Sequence, residues 1–135
     1  DLLKMFWECH DPTQKNRQGY DIGTQYRSAI YFKDEKNKKI ILASKEQYQK
    51  ELNKKNLGLI ETEIKMIDTY YYAEDYHQQY LASEGSRQYC SASPTKVKLG
   101  DFTGSNYKLK ENIWENFNWE IDKCVLRSDN NPIKN

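Results

Sequence analysis

The sequence lacks the features that define several large classes of protein. Its 21 Lys and Arg face 20 Asp and Glu, and a net charge of +1 gives no support for a nucleic-acid-binding protein, which would show a strong basic excess. Its apolar runs, such as residues 40–43, are too short to span a membrane. Its first residues have neither the basic start nor the long apolar stretch of a secretory signal peptide.

Cysteine is also scarce, with only Cys9, Cys90 and Cys124. The number is too small for a disulfide scaffold, and because it is odd, at least one thiol is free or pairs outside the chain. Together with His10 and His77, these residues lack the short paired spacing of zinc ligands, so no metal site is expected. The sequence also has no glycine-rich phosphate loop.

Aromatic residues compensate for a low apolar content. Hydrophobic residues make up 37% of the 135 residues, below the roughly 45–50% of an average globular domain. The chain has 11 Tyr, 4 Phe and 3 Trp, and each of these side chains can bury ~150–250 Å². The length fits one domain, and its core is expected to depend on aromatic side chains.

The spacing of apolar residues predicts a mixed α+β chain. Helices are predicted over residues 2–9, 36–55, 73–82 and 111–123, strands over 28–32 and 59–66, and loops over 13–27 and most of 83–110. Ile41, Tyr48 and Leu52 give the second helix a thin apolar face. Asp11 before Pro12 ends the first helix, because proline disfavours helical geometry in the preceding residue.

Several segments carry a family resemblance. They are residues 6–14 (FWECHDPTQ), 17–31 (RQGYDIGTQYRSAIY), 62–64 (TEI) and 71–81 (YYAEDYHQQYL). In this order and at this spacing they closely resemble the class A peptide methionine sulfoxide reductases. The similarity covers about residues 2–90 and rests on several multi-residue motifs.

The resemblance implies a fold and a reaction. The family uses a ferredoxin-like α/β plait, of which this chain would hold a part, with flanking helices and an irregular C-terminal tail. These enzymes reduce the S-epimer of methionine sulfoxide, free or in oxidised proteins, to methionine. A cysteine thiolate attacks the sulfoxide sulfur and becomes a sulfenic acid, and resolving cysteines then form a disulfide. Thioredoxin, or dithiothreitol in vitro, reduces that disulfide, and no bound cofactor is needed.

The resemblance also assigns roles to Asp21 and Tyr26, which match the family's active-site Asp and Tyr. Tyr26 would donate a hydrogen bond to the sulfoxide oxygen, and Asp21 would orient substrate, water or neighbouring groups. Gly19 and Gly23 flank the aspartate and would let the backbone turn tightly. In the alternative interpretation, Asp21 caps a turn and Tyr26 is a half-buried core residue.

Four further residues are candidates by the same resemblance. Cys90 stands where relatives have a resolving cysteine, and Cys124 in the tail is a second candidate; alternatively, both are ordinary free thiols. The family places the segment with Glu74 and His77 beside the pocket. Glu74 would hold backbone groups or tyrosine hydroxyls, and His77 is expected to be a structural hydrogen-bonding residue, as is His10.

The sequence lacks two segments that the family carries. The nucleophile's Gly-Cys-Phe-Trp motif does not occur, and neither does the upstream Gly-His-Ala-Glu-like segment. We therefore expect the chain to begin partway through the catalytic domain, with residues 1–90 as its C-terminal part and 91–135 as an extension. Alone it would have little reductase activity. Cys9 is a weak substitute, since it lies in a predicted helix with an apolar face.

Two other functions stay open at this point. The chain could be a non-catalytic binding module that recognises methionine sulfoxide or a protein partner. Its tail could mediate interactions through Trp114, Phe117 and Trp119, although such a cluster is more often part of a core. We expect a monomer in the cytoplasm without nucleic-acid or membrane partners, and an upstream transit peptide stays an alternative.

Overall fold

The computed structural model describes residues 1–80, 83–85 and 91–106. Its helices and strands are α1 (Leu2–Cys9), β1 (Arg17–Gln18), β2 (Asp21–Ile22), β3 (Ala29–Phe32), α2 (Glu35–Lys54) and β4 (Glu63–Met66). Two short 3₁₀ turns cover Thr24–Tyr26 and Asp75–His77. The mixture of helices with small sheets confirms the α+β class.

The described residues divide into two compact units. Residues 1–68 and 91–106 form the first, and residues 69–80 with 83–85 belong to the second. In the described part of the chain, no helix is both long and apolar enough to cross a membrane. The predicted helix over 111–123 lies outside the described residues.

The second unit corrects the prediction of a helix over residues 73–82. Over residues 73–80 the structure has the 3₁₀ turn Asp75–His77 and no α-helix, and residues 69–80 are all exposed. An isolated helix this short is unstable in water unless it buries an apolar face. The exposed tyrosines of this segment bury no such face, which explains why the periodicity misled.

Two strand pairs organise the first unit. β1 and β2 form an antiparallel hairpin in which Gln18 faces Asp21, and β3 pairs with β4 in parallel. A parallel pair needs a long crossover, and α2 supplies it. The prediction that residues 13–27 are loop is therefore partly wrong, because two-residue strands are too short to produce an alternating pattern.

Helix α2 forms where the sequence predicts it. The Asp34 carboxylate accepts a hydrogen bond from the Asn37 amide at 2.8 Å and caps the N-terminus. The buried residues of α2 lie on one face at helical spacing: Ile41, Ser44, Tyr48 and Leu52. Many charged residues cover the rest of the helix. This agrees with a helix that packs one face on the core and exposes the other to solvent.

Helix α1 packs on the core through its apolar residues Leu3 and Phe6 together with Trp7. Trp7 and Glu8 are its buried residues, whereas Leu2 is exposed. The Trp7 indole Nε1 donates to Ser44 Oγ at 2.9 Å. Its ring stacks on Tyr48 with centroids 5.7 Å apart, so one aromatic pair joins the two helices.

Residues 95–99, which we call the strap, complete this core. Val97 and Leu99 are buried against the α1–α2 pair. The Glu8 carboxylate accepts a hydrogen bond from the Leu99 amide at 2.9 Å, and Lys98 Nζ lies 3.3 Å from its other oxygen. The Tyr48 hydroxyl also reaches the strap, so two polar side chains from the helices hold it in place.

His10 joins the end of α1 to the sheet, as the sequence predicts. Its Nδ1 lies 2.8 Å from the Phe6 carbonyl and its Nε2 lies 2.8 Å from Ser28 Oγ, which in turn lies 2.8 Å from Thr62 Oγ1. Burial lowers the pKa of His10, and this outweighs the opposing effects of the Phe6 carbonyl and Asp11. The neutral ring therefore donates to Phe6 through Nδ1 and accepts from Ser28, whose oxygen accepts from Thr62.

Candidate functional site

Asp21 lies in the hairpin of β1 and β2 and is half-buried. It is the first residue of β2, and it stands between Tyr20 and Ile22, which are 93% and 72% exposed. Within the described residues, the Asp21 carboxylate makes no hydrogen bond or ion pair. A turn-capping role would require such a bond, so the geometry does not support the capping alternative.

Two glycines shape the backbone on either side of Asp21. Gly19 has φ +57°, and a Cβ there would lie 2.8 Å from the backbone oxygen of Ser91. Gly23 has φ +147°, a conformation that residues with a side chain rarely adopt. The expectation that these glycines permit tight turns beside the aspartate is confirmed.

Tyr26 ends the 3₁₀ turn that follows the hairpin. Its amide donates to the Gly23 carbonyl at 3.0 Å, and the turn packs against β1. The side chain is 43% exposed, so it is not a core residue. The hairpin and turn thus carry the Asp21 carboxylate and the Tyr26 phenol on one continuous segment.

Side-chain hydrogen bonds hold the hairpin in shape. Arg17 donates to the Gly19 carbonyl through Nε at 3.0 Å and Nη2 at 2.6 Å. The Gly19 amide donates to Gln14 Oε1 at 2.8 Å. Gln18 Nε2 donates to Ser91 Oγ at 2.9 Å and ties β1 to the segment before the strap. The segment that carries Asp21 is therefore fixed by side chains from outside it as well as by its own backbone.

This pair of groups suits chemistry on a polar oxygen atom. A phenol donates a hydrogen bond, and a carboxylate accepts one or holds a water molecule. A sulfoxide oxygen leaves poorly until it receives a proton or strong hydrogen bonds, and groups held in advance near that oxygen stabilise the developing charge. The arrangement is compatible with the role that the sequence predicts for the two residues.

Glu74 and His77 lie in the second unit. Glu74 precedes the 3₁₀ turn Asp75–His77, and its carbonyl accepts from the His77 amide at 2.8 Å. Within the described residues, neither side chain makes a hydrogen bond or ion pair, although the His77 ring contacts Tyr76. Cys90 and Cys124 lie outside the described residues.

The imidazole next to Cys9 does not activate its thiol. Cys9 Sγ donates to the Phe6 carbonyl at 3.4 Å. The adjacent His10 ring lies 4.0 Å away, and the lowered pKa of this imidazole keeps it neutral at pH 7. A neutral imidazole provides no positive charge to stabilise a thiolate, so the inert interpretation of Cys9 is favoured.

Sequence reasoning missed two polar groups. Glu8 is buried beside Trp7 and holds the strap. Glu63, the first residue of β4, forms a surface ion pair with Arg27. A buried glutamate in an apolar helix leaves a weak signal in the sequence, and the Arg27–Glu63 pair becomes visible only once the parallel register of β3 and β4 is known.

Comparison with known proteins agrees with the resemblance in the sequence. The sequence pattern of the family described as "Peptide methionine sulfoxide reductase" matches residues 1–110. The chain is 56% identical over 97 residues to the mitochondrial peptide methionine sulfoxide reductase of Homo sapiens, and the match covers 72% of this chain and 41% of that protein. It is 55% identical over 97 residues to the peptide methionine sulfoxide reductase MsrA of Rippkaea orientalis, with 72% and 44% covered.

A solved structure shares the fold. Mxr1 from Saccharomyces cerevisiae in its reduced form superposes with a TM-score of 0.56 and 34% sequence identity. The match covers 69% of this chain and 50% of that chain. The present chain thus spans less than half the length of the two curated relatives, and half of the solved one.

Proposed function

Because this chain belongs to the peptide methionine sulfoxide reductase family, we propose that it forms part of an enzyme that reduces methionine S-sulfoxide to methionine. The proposal rests on one observation: the hairpin and turn that carry Asp21 and Tyr26 lie within the family match and present a carboxylate without a partner among the described residues and a half-exposed phenol. Tyr26 would donate to the sulfoxide oxygen, and Asp21 would orient the substrate or a water molecule.

The proposed reaction is a two-electron reduction by thiols. A cysteine thiolate attacks the sulfoxide sulfur; the S–O bond breaks, the oxygen passes to the cysteine as a sulfenic acid, and methionine is released. A resolving thiol, with Cys90 preferred to Cys124, then forms a disulfide and releases water. A dithiol such as thioredoxin reduces the disulfide. These steps need no bound cofactor or metal, and a reducing compartment such as the cytoplasm suits them.

The attacking thiol is the element that this sequence does not supply. The Gly-Cys-Phe-Trp motif of the family is absent from the 135 residues, and Cys9 is a poor substitute. We propose that the 135-residue polypeptide alone turns over little sulfoxide and that residues 1–90 act with a segment that contains this motif. The boundary between a catalytic part and an extension at residues 90 and 91 stays a prediction.

The test compares the chain with a completed version of it. The purified polypeptide is assayed with a methionine S-sulfoxide peptide and dithiothreitol, and it is then fused to the upstream segment of the human relative. We expect turnover only in the fusion and only with the S-epimer. Replacing the cysteine of the added motif with serine should abolish that turnover. A polypeptide as active alone as in the fusion would contradict the proposal.

Two substitutions in the fusion test the named residues. Tyr26→Phe and Asp21→Asn should each lower kcat/KM by about 10–100-fold. The first removes the proposed donor to the sulfoxide oxygen, and the second removes the carboxylate proposed to orient the substrate or a water molecule. Tyr20→Phe, on the same hairpin, is the matched control and should change kcat/KM little. The alternative function as a binding module predicts instead that the fusion binds the S-sulfoxide peptide without turnover.

A further inference from the structure

A side chain next to Tyr26 closes the turn on which Tyr26 lies. Arg27 follows the turn directly, and its Nη1 donates to the Thr24 carbonyl at 2.8 Å. The same carbonyl accepts from the Arg27 backbone amide at 3.3 Å. The backbone and the side chain of one residue therefore hold the same end of the turn.

The other side of the Arg27 guanidinium is tied to the parallel sheet. Its Nε lies 3.4 Å from Glu63 Oε2, and its Nη2 donates to the Tyr31 hydroxyl at 3.4 Å. That hydroxyl donates to Glu63 Oε1 at 3.0 Å. Tyr31 lies on β3 and Glu63 begins β4, so the guanidinium joins the turn to both strands.

We propose that Arg27 is a positioning residue for the proposed reaction: the Arg27–Glu63–Tyr31 network fixes the 3₁₀ turn to the sheet and thereby sets where the Tyr26 phenol meets the sulfoxide oxygen. This inference rests on the proposed function. In the proposed reaction, Arg27 contacts neither the substrate nor the reacting atoms, and it acts through Tyr26.

The chemistry of the guanidinium explains why arginine suits this place. An isolated exposed ion pair contributes little, because solvent screens it and the side chains lose freedom. Here one rigid, planar group engages a carbonyl, a carboxylate and a hydroxyl at once, and lysine cannot reproduce that fork. Because a misplacement of about 1 Å can cost a hundredfold in rate, a contact that fixes a turn can matter to catalysis without touching the substrate.

The first test uses the 135-residue chain and needs no activity. Arg27→Lys keeps the charge and loses the fork, so hydrogen exchange of the Tyr26 and Arg27 amides, followed by NMR, should accelerate about fivefold. Lys50→Ala is the matched control: it breaks the exposed Lys50–Glu46 pair on α2, whose atoms lie 2.9 Å apart, and should leave these two amides unchanged. Unchanged exchange in Arg27→Lys would overturn the inference.

The second test asks whether Arg27 acts through Tyr26. In the completed reductase, Arg27→Lys should lower kcat/KM about tenfold, and most of this loss should lie in kcat, because a misplaced phenol stabilises the transition state less. In the Tyr26→Phe background the same substitution should cause no further loss. An equal loss in both backgrounds would show that Arg27 acts elsewhere and would reject the positioning role.

The two tests separate this inference from the proposed function. A completed chain with no turnover contradicts the proposed function, whereas the exchange measurement still decides whether Arg27 fixes the turn. If Arg27→Lys shows faster exchange and a loss of activity that depends on Tyr26, the result supports both the inference and the proposed function.

Discussion

Aromatic residues serve different purposes in two regions of the first unit. In the interior, Trp7 and Tyr48 have no exposed surface, and their polar atoms bind Ser44 and Thr95. On the hairpin-and-turn surface, Tyr20 is almost fully exposed and Tyr26 is half-exposed. Buried rings with paired polar atoms stabilise the fold, whereas exposed phenols contribute little to stability and are available to a substrate. Substitutions in the two regions should therefore separate stability from activity.

The largest difference is expected between Trp7→Ala and Tyr20→Ala. Trp7→Ala removes the ring that joins α1 to α2 and leaves Ser44 without its donor, so it should lower the free energy of unfolding by about 3–5 kcal/mol. Tyr20→Ala should change it by less than about 0.5 kcal/mol. Urea denaturation followed by circular dichroism measures both. If Trp7→Ala does not fold, the comparison uses the conservative substitutions Trp7→Phe and Tyr20→Phe. Trp7→Phe should then have the lower free energy of unfolding of the two.

A buried carboxylate should matter more than an exposed one. Glu8→Ala leaves the Leu99 amide without its acceptor and releases the strap, and we expect a loss of about 2–3 kcal/mol, as for a buried hydrogen bond to a charged group. Glu46→Ala, on the exposed face of α2, should cost less than about 0.5 kcal/mol. Equal losses in the same urea titration would contradict the anchoring role of Glu8.

The fold was predictable where one element alone produces a pattern. The periodicity of α2 and the β-rich residues before it identify a helix and a strand that the structure contains, since Ile41, Tyr48 and Leu52 bury one face. The hairpin of β1 and β2 was not predicted, because strands of two residues are too short to show a period in the sequence. The packing of the strap was not predicted, because its partner Glu8 lies 91 residues away from Leu99. Local sequence patterns do not predict a contact at such a separation.

The residues of the candidate site stay a prediction from the sequence, whereas the contacts that support them come only from the structure. Asp21 and Tyr26 came from the family resemblance, because a lone aspartate and a lone tyrosine carry no distinctive signal. Arg27 stood in the same motif, but its role depends on Glu63, whose position follows from the pairing of β3 with β4. The periodicity of apolar residues predicts which face of a helix or strand is buried. A network of exposed polar side chains can be predicted only when the register between the strands is known.

A smaller effect is expected from the Tyr48 hydroxyl alone. Tyr48→Phe keeps the buried ring and removes the hydrogen bonds to Thr95 and the Val97 carbonyl, which should cost about 1 kcal/mol. Tyr20→Phe, whose hydroxyl is solvated, should change the free energy of unfolding negligibly. If both variants unfold at the wild-type urea concentration, the Tyr48 hydroxyl does not help to hold the strap.

The smallest effect belongs to the buried His10 and appears only in mild acid. Burial lowers the pKa of His10 in the folded chain below the 6.5 expected when it is unfolded, so the unfolded chain binds more protons below pH 6.5. Stability should therefore be complete above pH 6.5, fall as the pH drops through the window between 6.5 and the lowered pKa, and then level off. His10→Gln should flatten this dependence in urea titrations at several pH values. A pH dependence that survives in His10→Gln would show that another group is responsible.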